Sequence, residues 1–418
     1  MKAVVLTLGC KVNDVESGSL IRGLEEMGYE VSRTLETADL YIVNTCAVTA
    51  EAERKSRQAV GKALAAGKGA KVIVCGCASQ KNAQSFLEKG ENVVFVSGAQ
   101  GKGKILDIVR DGLEIARGAY VEELQKTYEE MLIPHCLKTR NFVKIQDGCN
   151  RFCSYCIIPY LRGRSRSRKL ASIVEEVMAT TAEETVLTGI DISDYRDEDG
   201  HTFVQLLEAL RDAPTRIRLG SIEVGLITPE FLEAAKKVKR FAPQFHLSLQ
   251  SGSNAVLKSM NRHYTREEYL EKCRMIYEAF ENASITTDII VGFPTEAEED
   301  FLQSLRIVEE AGFLQVHAFP YSPREGTNAY KRYKELPFAL KKERVDRMIA
   351  RASEVKTEYL RRFIGRTLSI VPEGETDGLW EGYAENYIRV YVRVENGKCP
   401  THVRVERLFR DGVLAVKA

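Results

Sequence analysis

No apolar run in this 418-residue chain approaches the roughly 20 residues needed to cross a bilayer, so no membrane span is expected. No signal peptide is expected either: Met1 to Leu8 reads as a strand-like run with one lysine and no cleavage site. Neither sign of charge is in excess, with 60 Lys and Arg against 59 Asp and Glu, so any nucleic-acid surface must be local. Cysteine, by contrast, is plentiful. Ten of them in a chain that reads as unexported point to metal or redox groups rather than a disulfide framework, and to a cytoplasmic protein. A hydrophobic content of 44% and a charged content of 28% describe a globular chain with ample core-forming residues. Its length predicts two or three domains.

The densest chemistry lies in Cys149–Cys156, which reads C-N-R-F-C-S-Y-C just after an apolar, strand-like segment from Phe142 to Ile145. Thiolates this close cannot all pair as disulfides, but Cys149, Cys153 and Cys156 can hold one face of an iron–sulfur cluster. With three cysteines, one iron of a [4Fe–4S] cube stays free to bind another ligand. A zinc loop would want a fourth Cys or His; His135 and Cys136 are available, but they lie before the strand. The spacing C-x₃-C-x-φ-C, with Tyr155 as the aromatic φ, resembles the radical S-adenosylmethionine (SAM) superfamily. That resemblance implies that the free iron chelates the amino and carboxylate groups of SAM, with Tyr155 beside its adenine.

From Met1 to about Gly118, short buried runs (Ala3–Leu8, Leu40–Val43, Val72–Val74, Val93–Val96) alternate with amphipathic helical segments. This argues for a parallel sheet covered on both faces. Cys10 follows the first run, Cys46 the second and Cys77 the third. The carboxyl ends of parallel strands line one edge, where ligands bind, so the three would meet at one rim. A single core cysteine is ordinarily a small hydrophobe, which is the expectation for Cys75. Three at equivalent strand ends predict a second, auxiliary cluster. The motifs Gly9-Cys10-Lys11-Val12-Asn13, Asn44-Thr45-Cys46 and Gly76-Cys77-Ala78-Ser79-Gln80, together with the central triplet, resemble the methylthiotransferase family. Members of that family use two clusters and SAM to insert sulfur and a methyl group at an unreactive C–H bond.

After a charged connecting segment (119–138), the alternation resumes over 139–364. Strands are expected at Phe142–Ile145, Thr185–Leu187, Arg216–Leu219, Phe245–Leu249, Ser284–Val291 and Leu314–Phe319, giving a partial (β/α)6 barrel, which the superfamily resemblance also implies. Its site should lie at the carboxyl ends of the strands. Thr188, Gly189, Glu223, Gln250 and Asp288 fall there and are candidate SAM contacts, as is Arg262 in M-N-R-H-Y-T. No catalytic side chain beyond the cluster ligands is expected. Residues 365–418 turn β-rich, with turn signals at Glu395-Asn396-Gly397 and Asp411-Gly412. They predict a small antiparallel barrel that resembles the RNA-binding TRAM domain. Eight Lys and Arg against eight Asp and Glu there depart from a plainly basic RNA binder.

Arg162, Arg164, Arg166 and Arg168 alternate directly after the cluster loop and, on a strand-like segment, would present one guanidinium face to phosphate. Tyr383, Tyr387 and Tyr391 offer base-stacking rings, or core. The family resemblance implies tRNA, through its anticodon stem-loop, as partner, with a reducing electron donor. L-G-C-K-V-N resembles the branch acting on N6-threonylcarbamoyladenosine at position 37. The isopentenyladenosine branch reads G-C-Q-M-N at this point, and the branch acting on a ribosomal-protein aspartate G-C-P-K-N. A redox sensor or a plain RNA-binding protein is the competing reading; neither would need a SAM site.

Overall fold

Thr7, Asn44 and Thr45 end two neighbouring strands whose register brings Thr7 opposite Asn44 and Thr45 opposite Gly76, so three strand ends finish level. The computed structural model describes residues 1–134, 139–394 and 398–418. Its first sheet is wholly parallel, in the order Glu30–Ser32, Lys2–Thr7, Leu40–Thr45, Lys71–Gly76, Val93–Ser97, Gly118–Tyr120. Alternate residues feed opposite faces: Val4, Val43, Val74 and Val96 pack on one side, Val5, Ile42, Ile73 and Phe95 on the other. Cys75 joins the second face as core. The two outer strands, three residues each and with no fully buried residue, carry no periodicity that sequence reading can use.

The segment after Tyr120, expected as a connector with no core, is extended and packed instead. Glu129 accepts from the backbone N–H groups of Gly101 and Gly103 (both 3.0 Å), capping the helix Gly103–Arg110, and Met131 packs on the second sheet face. His135 and Cys136 lie outside the described residues.

Six parallel strands then follow in chain order: Arg140–Lys144, Glu184–Thr188, Arg216–Leu219 continuing as Ser221–Ile222, Gln244–Leu247, Ser284–Val291 and Gln315–Pro320. The third strand changes partners at Gly220, where a side chain would meet the Leu187 carbonyl at 3.0 Å. The result is an open α/β barrel with helices outside. Its last helix, Phe338–Arg361, packs Met348, Ala352 and Val355 against the barrel and carries Tyr359 and Leu360 into the core of the following domain.

That domain is a closed five-stranded barrel of Thr367–Thr376, Leu379–Ala384, Arg389–Val392, His402–Phe409 and Gly412–Lys417. The expectation of an antiparallel barrel needs one amendment: Arg389–Val392 pairs with Gly412–Lys417 in parallel, which closes the ring. The turn expected at Glu395-Asn396-Gly397 lies outside the described residues. No helix among the described residues is long and apolar enough to cross a membrane.

Candidate active site

The level strand ends of the first sheet are built to present cysteine. Gly9 and Gly76, each directly before a cysteine, share a φ of 106°, a conformation that costs a side chain dearly. A Cβ on Gly9 would stand 2.8 Å from that of Cys46, and one on Gly76 would stand 2.4 Å from the Thr45 carbonyl. The polar residues of the three motifs tie the loops together. The Asn13 amide donates to the carbonyls of Leu8 (2.7 Å) and Thr45 (3.1 Å), and that of Asn44 to the Asn13 carbonyl (3.0 Å). Thr45 donates to the Cys75 carbonyl (2.6 Å), and Gln80 accepts from the Ala99 N–H (3.0 Å). Cys46 and Cys77 are buried and Cys10 is exposed. Burial pushes the Cys46 thiol up to about 11, and the neighbouring Cys77 and Cys10 add to the rise.

The second triad sits in the loop expected for it. Gly148 (φ 71°) leaves no room for a side chain, because a Cβ would lie 2.0 Å from the Arg164 carbonyl. Gln146 stitches this loop to the end of the neighbouring strand. Its amide donates to the carbonyls of Asp147 and Gly148 (3.0 and 2.8 Å), and its oxygen accepts from the N–H groups of Ile190 and Asp191 (3.0 and 2.8 Å). Met260-Asn261-Arg262 holds the far side: the Met260 carbonyl accepts from the Ser154 N–H (2.9 Å), and the Asn261 amide donates to the Phe152 carbonyl (3.0 Å). Arg262 donates to the Cys153 sulfur (3.3 Å) and to both oxygens of Glu223 (2.7 and 2.6 Å). Burial pushes the Cys156 thiol up to about 12.

Sequence reading missed what joins the triads. Arg162, fully buried, donates to Glu16 (3.0 and 3.2 Å), to Asp147 (2.9 and 3.0 Å) and to the Asn13 oxygen (2.6 Å). Lys144 donates to the same two carboxylates at 2.7 and 2.8 Å, and Lys102 pairs with Glu16. The network thus runs from Asn13, three residues after Cys10, to Asp147, two before Cys149. The expected phosphate-facing row of arginines is therefore overturned. Arg166 is buried on Asp147 (3.1 Å) and Arg168 on Glu176, and only Arg164 of the four is exposed, stacked 4.4 Å from the Phe152 ring centroid. The segment is a helix end that turns at Gly163 (φ 79°) into a two-residue strand, Arg166–Ser167, paired antiparallel with Gln146–Asp147, so its alternation has no single face. Spacing alone gave no hint of acidic partners as distant in the chain as Glu16.

The expected SAM contacts fall around two cavities. Glu223 and Arg262 line one of about 250 Å³ beside Cys153. Thr188, Gly189 and Asp288 line a larger one of about 850 Å³ with Cys10, Lys11, Arg218, His246 and His317, roofed by Tyr383, Tyr387 and Arg389 of the last domain. Gln250 lines neither, but its backbone (φ 70°) bonds Asp288 and Ile290 at the same barrel end. Tyr155 packs against Val256, Met260 and Phe293. Asp288 pairs with His246 (3.3 Å), whose other ring nitrogen bonds the Thr286 hydroxyl (3.0 Å). Tyr383 and Tyr387 stack on each other at 4.6 Å, whereas Tyr391 is buried and donates to Asp411 (2.6 Å).

Residues 143–308 match the Radical SAM superfamily, and residues 2–98 match the Uncharacterized protein family UPF0004. The "Threonylcarbamoyladenosine tRNA methylthiotransferase MtaB" of Bacillus subtilis is 35% identical over 400 residues, covering 92% of this chain and 88% of its own. The chain belongs to the radical SAM methylthiotransferase family. A relative of the same name from Aquifex aeolicus is 37% identical over 92% of this chain and 96% of its own. The "tRNA-2-methylthio-N(6)-dimethylallyladenosine synthase" of Syntrophotalea carbinolica is 34% identical over 90% and 89%. The fold extends to a radical SAM methyltransferase from Kitasatospora setae, at a TM-score of 0.58 and 13% identity over 85% of this chain and 89% of that one.

A radical SAM methylthiotransferase is an enzyme whose cofactors are [4Fe–4S] clusters and SAM, and the donors here fit them. A single zinc needs its sulfurs about 3.8 Å apart, from Zn–S bonds of about 2.3 Å in a tetrahedron. Among the described residues, the groups whose ligand atoms all lie within 4.8 Å of one another are His246–Asp288–His317 and Asp197–Asp199–His201. Neither cysteine triad of this methylthiotransferase is that tight. Wider thiol spacing suits the corners of an iron–sulfur cube, and a triad leaves one iron open.

Proposed function

We propose that this methylthiotransferase adds a methylthio group to C2 of N6-threonylcarbamoyladenosine at position 37 of tRNA, consuming two SAM molecules, one as methyl donor and one as radical source. The observation that carries the choice of base is the character of the larger cavity. Lys11, Arg218, His246, Lys356 and Arg389 line it. Although Arg218, Arg389 and His246 have acidic partners, Lys11 and Lys356 meet no carboxylate among the described residues, a setting for an anionic substituent rather than for an apolar dimethylallyl chain. The L-G-C-K-V-N motif and the names of the Bacillus and Aquifex relatives support the same branch.

When bound at the two triads, the clusters supply electron transfer to SAM and the delivery of sulfur. The chain's own residues do the rest. Cys149, Cys153 and Cys156 hold the SAM-side cluster, and Cys10, Cys46 and Cys77 the auxiliary one. Arg262 and Glu223 orient the SAM-side loop, and Thr188, Gly189, Gln250, Asp288 and Tyr155 would contact SAM. The Glu16–Arg162–Asp147 network fixes one triad against the other, so that hydrogen removal and sulfur delivery meet at one carbon. Tyr383 and Tyr387 roof the cavity and offer a platform for the base or its neighbours, while Arg164 is the arginine left to meet phosphate. A soluble reductant in the cytoplasm would supply electrons.

The test is nucleoside analysis after turnover, with tRNA carrying either threonylcarbamoyl- or dimethylallyl-adenosine. Methylthio product on the first alone is expected. Product on the second alone would move the enzyme to the other branch.

A further inference from the structure

Four cationic side chains line the larger cavity: Lys11, Arg218, Lys356 and Arg389. Two are already neutralised. Arg218 spends its guanidinium on both oxygens of Glu184 (2.8 and 2.7 Å) and the Ala384 carbonyl (3.1 Å), and Arg389 on Glu381 (2.6 Å) and Asp411 (3.1 Å). Lys356 donates to the amide oxygen of Gln315 at 3.0 Å. Lys11 differs from all three. No carboxylate or hydrogen-bond acceptor among the described residues meets its ammonium, which lies over the Phe142 ring, 5.9 Å from its centroid. Glu184, a nearby acid, is shared among Arg140, Arg216 and Arg218, and the two acids that line the cavity are engaged elsewhere, Asp288 with His246 and Asp411 with Arg389 and Tyr391, so none is paired with Lys11.

A cation in a walled cavity without a counter-charge calls for an anionic ligand. The placement of Lys11 says which one. It follows Cys10 directly in the chain, so its ammonium reaches into the cavity from the auxiliary triad itself. In adenine, C2 and the N6 substituent flank the same ring nitrogen, N1. A base whose C2 faces this triad therefore swings its N6 substituent within a side chain's reach of it. In the threonylcarbamoyl group that substituent ends in a carboxylate.

We propose that Lys11 is the residue that recognises the substrate's N6 substituent, by a charge-assisted hydrogen bond to the threonyl carboxylate, and that it thereby sets the choice of base. The assignment rests on the substrate reading above. A phosphate of the tRNA backbone is the other anion Lys11 could meet, and the two are separable because backbone phosphates are the same whatever the base.

The experiment measures binding of the full-length reconstituted protein to anticodon stem-loops that differ only at position 37: threonylcarbamoyladenosine, its methyl ester, or plain adenosine. Wild type should bind the first about tenfold more tightly than the other two, the range of one charge-assisted bond. Lys11→Met should erase that preference at unchanged affinity for plain adenosine, and Lys11→Arg should restore part of it. Unaltered iron content and melting temperature show that each variant is folded. A Lys11→Met variant that keeps the preference overturns the assignment, and one that weakens all three loops equally makes Lys11 a phosphate contact. Absence of any preference in wild type removes the substrate reading itself, and Lys11's role with it.

Discussion

Arg162→Met should separate the two halves of the site. The substitution preserves bulk but removes the bonds to Glu16, Asp147 and Asn13, leaving two carboxylates fully enclosed. Breaking one member of a buried ion pair costs about 3–5 kcal/mol. The lower end applies here, because Lys102 and Lys144 remain on Glu16, and Lys144 and Arg166 on Asp147. For a domain of 150–250 residues, about 3 kcal/mol lowers the melting temperature by about 6–12 °C. Thermal melts of the full chain read the loss. Because Arg162 ties Asn13 to Asp147, the variant should also waste SAM, forming more deoxyadenosine per methylthio product than wild type. A fall under about 2 °C with unchanged coupling would refute the reasoning, since the network would then be neither structural nor positioning.

Gly76→Ala forces a side chain into the left-handed region and against the Thr45 carbonyl; it should cost about 1–3 kcal/mol and strip iron from the auxiliary site while deoxyadenosine formation survives. Iron analysis beside product analysis checks both halves. Cys46→Ala should likewise retain SAM cleavage and lose sulfur insertion; equal loss of both activities would argue against two distinct clusters. Glu184→Gln leaves Arg140, Arg216 and Arg218 without their acid where they bond Ser369, Glu373 and Ala384 of the last domain, so limited proteolysis should release that domain faster. Burial opposes ionisation of Glu16 and Glu184, yet Arg162 and Lys102 hold the first, and Arg218 and Arg140 the second, below the usual carboxylate range. A depressed folded value stabilises above the unfolded one, so melting temperatures should not change through these groups from pH 8 to 5, and should fall only below about pH 4. Glu184→Gln should flatten that acid limb.

Much of this was legible in the sequence, for a physical reason. Cluster ligands need fixed chain positions, so Cys149, Cys153 and Cys156 show as a spacing, and Cys10, Cys46 and Cys77 as equivalent ends of buried runs. Strands buried on both faces announce themselves as apolar runs, which is why the central strands were readable and the short, part-exposed edges at Glu30–Ser32 and Gly118–Tyr120 were not. The arginine row misled because exposure was inferred from charge. Whether Arg162 faces solvent depends on Glu16, which lies on a helix of the other domain, and no local pattern encodes that pairing. Asn13, Asn44 and Gln80 were visible as motif letters, but their work, bracing strand ends through backbone carbonyls and N–H groups, appears only once the ends are side by side. Glu223 was picked for its place at a strand end; its bidentate partner Arg262 comes from a different loop.

The most direct measurement is iron per chain after anaerobic reconstitution, in wild type and in Cys10→Ala/Cys46→Ala/Cys77→Ala, with products followed after SAM, reductant and threonylcarbamoylated tRNA are added. Two clusters require about eight irons in wild type and about four in the variant, with methylthio product in the first alone and deoxyadenosine in both. About four irons in wild type, with deoxyadenosine but no methylthio product, would contradict the second cluster.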